Sequence, residues 1–211
     1  MKMIKTLLPL LVFASDPLHA VTTTVDFDGL TPGAVANTDS NVTGFSFSFG
    51  TLEQDLDGFG VPIPGTDHWV TDPGAGSVTV ADTLASFYGP APTGTNALDA
   101  RPQTVLLAFS GVVDVNSFQM TLDNSPFGFD GFNAEFYGLS NNLLASVPVI
   151  QSSPGYVVSA GPLAGVSYVV IPSGAMYDHF VLDFAPVPEP SATLLLLGAL
   201  APLARRRRQA C

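Results

Sequence analysis

Gly44-Phe45-Ser46-Phe47-Ser48-Phe49 alternates aromatic and hydroxyl side chains with a strict period of two. In an extended strand successive side chains point to opposite faces, so this stretch puts three phenylalanines on one face and two serines on the other. Such alternation describes a strand with one buried and one solvated face. Outward from it, the chain shows no long 3.6-residue period. Short β-branched and aromatic runs are instead broken by Gly, Pro, Asn, Asp and Ser.

Upstream, Thr22 to Phe27 reads as a first strand, followed by turns at Asp28-Gly29 and Thr31-Pro32-Gly33. Downstream, Gly50 to Ala100 is a loop-rich excursion with short strands predicted at His68 to Thr71 and Ser77 to Val80; binding surfaces concentrate in such loops. Further strands are predicted at Thr104 to Phe109, Val113 to Leu122, Phe132 to Gly138, Leu143 to Val149, Val166 to Ile171 and Met176 to Phe184. Their number and spacing predict an all-β body, an antiparallel β-sandwich of about 166 residues between Val21 and Pro186.

Both ends differ from this body. Met1 to Ala20 has the form of a secretory signal peptide: Lys2 and Lys5, an apolar run from Leu7 to Ala14, a break at Asp16-Pro17, and Ala20 at the cut. Ala14 offers an earlier cut. At the other end, Val187-Pro188-Glu189-Pro190 leads into an uncharged run, Ala192 to Ala204, closed by Arg205-Arg206-Arg207-Arg208. The prolines stop any helix or central strand. The run suits lipid, and the arginines act as a stop on the cytoplasmic side. At ~1.5 Å per residue its 13 residues reach roughly 20 Å, short of the ~30 Å hydrocarbon core, so a short transmembrane helix here would hold the chain only transiently.

Taken together, Val187-Pro188-Glu189-Pro190-Ser191, the Leu-rich run and the terminal arginines resemble the PEP-CTERM sorting signal. The resemblance implies Sec export, signal peptidase and an exosortase-type processing enzyme as partners, transient anchoring in the inner membrane, then the cell surface or the medium. The body is similar to the jelly-roll-like domains of that family, through Phe27-Asp28-Gly29-Leu30-Thr31-Pro32-Gly33 and Tyr177-Asp178-His179-Phe180-Val181-Leu182, where His179 stands for the usual Asn.

Charge narrows the function. Six of the seven basic residues lie in the two terminal segments, leaving Arg101 against 16 carboxylates in the body, a formal charge of −15. Phosphate contacts need clustered Lys and Arg, which excludes nucleic acid as a partner. An acidic body invites divalent cations. Cys211 is the sole cysteine, so the body has neither a disulfide nor a thiolate site.

Three sets of residues are candidates for a site. Glu53, Asp55 and Asp57, followed by Gly58, imitate the opening of a calcium loop but lack its closing glutamate, and a solvated acidic turn is the alternative. Asp26 or Asp28, which alternation puts on one face, could share a calcium with Asp178 or Asp183 if the first and last strands meet, as the jelly-roll resemblance implies. Trp69 after His68, Tyr88 after Phe87, and Phe127-Gly128-Phe129-Asp130-Gly131-Phe132 could stack on sugar rings, with burial of Trp69 in the core as the alternative. No nucleophile elbow, metalloprotease motif or phosphate loop is present, and no pair of carboxylates stands out for glycoside cleavage. The expectation is a non-enzymatic exported protein with a structural or adhesive role in an exopolysaccharide or biofilm matrix. The alternatives are a carbohydrate-binding module with a structural calcium and a secreted glycoside hydrolase.

Overall fold

A computed structural model describes residues 20–83, 94–122, 132–152 and 155–187. The signal-peptide reading, Tyr88, the aromatic set from Phe127 to Gly131, the Pro188-Glu189-Pro190 motif and the tail helix with its arginines lie outside these residues. Among the described residues there is no α-helix, a turn of 3-10 helix stands at Ala36–Thr38, and no helix is long and apolar enough to cross a membrane.

The chain is all-β and its strands pair antiparallel throughout. In chain order they are β1 (Val21–Val25), β2 (Phe45–Glu53), β3 (His68–Thr71), β4 (Val80–Asp82), β5 (Asn96–Asp99), β6 (Val105–Leu122), β7 (Asn133–Gly138), β8 (Leu143–Pro148), β9 (Ile150–Ser152), β10 (Gly155–Ala160), β11 (Leu163–Ile171) and β12 (Met176–Pro186). Along one path the order is β4-β5-β12-β6-β11-β7-β8. Outside this path β1 joins β12, β2 joins β6 and β3, and β10 joins β6 and β9.

β6 is the strand on which the others are hung. The sequence predicts two strands here, separated at Ser110-Gly111; the chain instead continues through as a single 18-residue strand. One of its edges takes β2 at Val105 to Phe109 and then β12 at Val113 to Leu122. The other edge takes β11 and then β10. Breaks in register at β12 and β11 allow this long strand to bend.

The Phe-Ser alternation behaves as read. Phe45, Phe47 and Phe49 are buried, Ser46 is exposed and Ser48 half-buried. The rings of Phe45 and Phe47 join Phe27, Phe109, Phe180 and Phe184 in a chain of edge-on and tilted contacts, with centroids 5.1–6.4 Å apart. Burial of each ring contributes about 1.5–3 kcal/mol, so this aromatic row is a major part of the core. Asn37 closes its edge: its amide donates to the Phe47 carbonyl at 2.9 Å and accepts the Phe47 N–H at 2.7 Å. Asn37 thus pairs with β2 as a neighbouring strand would.

Several boundaries differ from the sequence reading. The first strand stops at Val25, because Phe27 takes the left-handed conformation (φ 58) while wholly buried. The strand expected at Ser77 to Val80 begins at Val80 instead. The sequence reading lacks β5, β9 and β10; the first follows an Asn-Ala-Leu-Asp stretch with no alternation, β9 has only three residues, and β10 holds a Tyr-Val-Val run too brief to show a period.

Candidate functional site

β2 and β3 form a hairpin whose base pairs Glu53 with His68. Beyond it, residues 54–67 form a long loop stitched by polar contacts. The Gln54 amide donates to Asp67 at 2.9 Å, the Asp55 N–H to the Thr66 hydroxyl at 2.9 Å, and the Thr66 hydroxyl to the Ile63 carbonyl at 2.7 Å. Opposite stands the β7–β8 turn, where Asn141 is left-handed (φ 55), a conformation Asn tolerates better than most residues. Between loop and turn lies an open cleft of about 310 Å³ lined by Asp55, Gly65, Thr66, Asp67, His68, Ser140 and Asn141.

A buried tyrosine pair stands behind the cleft lining. Tyr137 and Tyr168 stack with centroids 5.0 Å apart, and Tyr168 donates to the Asn141 side-chain oxygen at 3.2 Å. Tyr137 donates to Glu135 at 2.7 Å. Burial, with the neighbouring Asp67 carboxylate adding to it, pushes the Tyr168 phenol up to about 12. The Tyr137 phenol is pushed up as well, by burial first and then by Glu135. Both hydroxyls therefore stay protonated donors at neutral pH. His68 Nδ1 lies 3.1 Å from the Thr66 carbonyl and 3.7 Å from Asp55, an ion pair only when the ring is protonated. The lining thus offers carboxylate acceptors, an amide and two hydroxyls, which suits neutral polyhydroxyl ligands.

Of the residues singled out in the sequence, Asp55 lines this cleft and Trp69 adjoins it through His68. Trp69 is half-buried. It packs with Leu52 and Ala108 against the cluster of Leu106, Tyr137, Tyr168 and Val170, so its indole covers a second small core. A Cβ at Gly50 would come within 2.6 Å of that indole and into the Val70 carbonyl, so glycine is what lets the ring lie on β2. Asp67, Ser140 and Asn141 were missed. A turn residue such as Asn141 carries no periodic signal, and its place opposite the 54–67 loop depends on long-range pairing.

The proposed calcium sets do not assemble. Asp57 accepts the N–H groups of Phe59 and Val61 at 2.8 and 2.9 Å and closes its own turn, while Glu53 belongs to β2. The first and last strands do meet, Val25 opposite Phe180 and Val21 opposite Phe184. However, the left-handed Phe27 breaks the alternation that would have placed Asp26 and Asp28 on one face. Asp28 instead accepts the N–H groups of Thr95 and Asn96 at 2.8 and 3.1 Å, with its carboxylate directly over Gly94. Asp178 is buried where β12 bulges, and Asp183 receives the Asn116 amide at 3.3 Å. Among the described residues no three His, Cys, Asp or Glu side chains come together as metal ligands. Val187 continues from β12 and donates its N–H to Val112 at 2.9 Å.

Comparison with family models, with curated proteins and with solved structures returns no match.

Proposed function

We propose that the protein is exported and serves a structural or adhesive role in an exopolysaccharide or biofilm matrix, with the cleft between the 54–67 loop and the β7–β8 turn as its glycan contact. The observation that carries this reading is the cleft itself: acid, amide and hydroxyl groups in one lining, its Asn141 wall tied to the buried Tyr168, on a body with one cation. That chemistry accepts hydrogen bonds from sugar hydroxyls and repels polyanions. Export and sorting through an exosortase-type enzyme are supported by the two terminal segments, with Arg205 to Arg208 as the stop. The change of partners along both edges of β6, with core residues alternating along it, supports a jelly-roll-like β-sandwich.

Two experiments test the reading. Neutral and acidic polysaccharides are presented to the purified chain, and Asn141→Ala and Asp67→Asn should each weaken retention of neutral glycan at least tenfold. Retention unchanged in both variants refutes the cleft as the contact. In cells, replacing Pro188-Glu189-Pro190 by alanines should leave the chain in the membrane fraction; unaltered release would refute sorting by the tail. Binding without turnover distinguishes this reading from a secreted glycoside hydrolase, which would release reducing ends.

A further inference from the structure

The tip of the β2–β3 hairpin is apolar and stands in solvent. Phe59 is 95% exposed, Leu56 60% and Val61 56%, on a loop narrowed by a bridge between Leu56 and Pro62. Asp57 holds this tip in shape through its two bonds to Phe59 and Val61. An aromatic ring presented this fully on an ordered turn has no role in the core of its own molecule.

A matching cavity lies at the other end of β2. On one edge of β6, β12 ends opposite Val113 and β2 starts opposite Phe109, leaving a seam at Ser110 to Val112. There Gly44, Gly111, Val112, Phe184, Pro186 and Val187 enclose about 270 Å³. No lining residue is charged, in contrast to the cleft with Asp55 and Asp67. A cavity of roughly 150 Å³ already accepts a benzene ring, so a phenylalanine side chain has room. Gly44 makes that room: a Cβ there would stand 3.3 Å from the Phe184 ring.

From these two features we propose that Phe59 of one copy seats in the Gly44–Val187 seam pocket of the next, joining copies head to tail. Several points favour a second copy as the occupant. The seam pocket has no charged lining residue and room for a ring, and Phe59 is an ordered ring 95% exposed on this same body. Ring and pocket lie at opposite ends of a nine-residue strand, about 30 Å apart at ~3.3 Å per residue, so one molecule cannot satisfy itself. A contact between two different patches does not close on itself as a twofold does, and repetition gives an open chain. The joint is small and opposed by like charge, so it strengthens with protein concentration and with salt. It gives the structural role a physical basis, but it depends on the body alone; a monomeric body would leave sorting and glycan binding untouched.

The test is sedimentation of the full chain in mild detergent, over a concentration series up to the solubility limit. The wild type should grow in mass without reaching a fixed size. Phe59→Ser changes only an exposed side chain, and Gly111→Glu places a carboxylate at the pocket where a Cβ meets nothing within 4 Å. Each should stay monomeric. Mixed one to one, they should form heterodimers and stop, because only the Phe59 of the Gly111→Glu chain can enter the pocket of the Phe59→Ser chain. Growth of either variant like the wild type, a mixture that stays monomeric, or a wild type kept monomeric by its own tail occupying the pocket would each overturn the proposal.

Discussion

Tyr168 lies almost flat on Tyr137, with 13° between the ring planes, and its hydroxyl reaches the side chain of Asn141 in the β7–β8 turn. One stacked pair thus ties the sheet to the wall of the cleft. Because both phenols are neutral in the fold, the tie has a pH limit.

The Tyr168 phenol is raised from 10.0 to about 12 in the folded chain. A group raised on folding contributes stability that is complete below its unfolded value and lost as pH rises through its folded value. Thermal melting should therefore hold steady up to about pH 10 and fall between there and about pH 12. Tyr168→Phe should flatten this fall, while lowering the midpoint at neutral pH through loss of the Asn141 bond. A Tyr168→Phe curve parallel to the wild type throughout would refute the assignment.

Arg101 grips Asp99 with two bonds, Nε to Oδ1 at 2.8 Å and Nη2 to Oδ2 at 2.7 Å. Burial pushes the Asp99 carboxyl up, but the Arg101 side-chain bond, its backbone N–H and its charge outweigh this and hold it below the ordinary range. A depressed carboxylate stabilises the fold above its unfolded value and loses that effect as pH falls through its folded one. Arg101→Gln should thus lower the unfolding free energy more at about pH 7 than at about pH 3, by about 1–2 kcal/mol at the higher pH. Equal losses at both would show that the pair does not carry the effect.

Asp28 pins residues 94–96 to the turn after β1, so Asp28→Ala should destabilise by about 1–3 kcal/mol. Gly94→Ala should do comparable harm, since a Cβ would collide with the Asp28 carboxylate and Gly94 is left-handed at φ 62. Calcium set against a chelator should leave the wild-type midpoint unmoved, because the Asp28 Oδ1 already accepts backbone N–H groups. A rise of several degrees with calcium would reinstate a structural cation.

His179 sits in the bulge of β12 with φ 50, where Asn costs less than other side chains and a β-branched residue costs most. His179→Asn should be neutral or slightly stabilising, and His179→Val should cost about 1–2 kcal/mol. Denaturant midpoints decide it; equal effects would mean that the conformation is not enforced.

Where the sequence could be read, local chemistry was repeated often enough to make a pattern. Phe45, Phe47 and Phe49 announce both strand and face, and His68 to Thr71 is bounded as expected because turn residues flank it. The continuity of β6 through Ser110-Gly111 was hidden, since a Gly suggests a break and only its four pairing partners hold the strand extended. The cleft was half visible. Asp55 and the neighbourhood of Trp69 carry a composition signal, whereas Ser140 and Asn141 join them only because β7 and β8 pair beside β11.

The pairing of β1 with β12 has a consequence for the order of events in the life of the chain. A polypeptide emerging N-terminus first presents Val21 to Val25 long before any partner exists for them. Their partners, Phe180 to Phe184, emerge only after the other strands of the body. Contacts so distant in sequence are the slowest to form. The sheet therefore completes itself only once Phe180 to Phe184 have been made, so β1 waits for the last strand of the body before it has an edge to join.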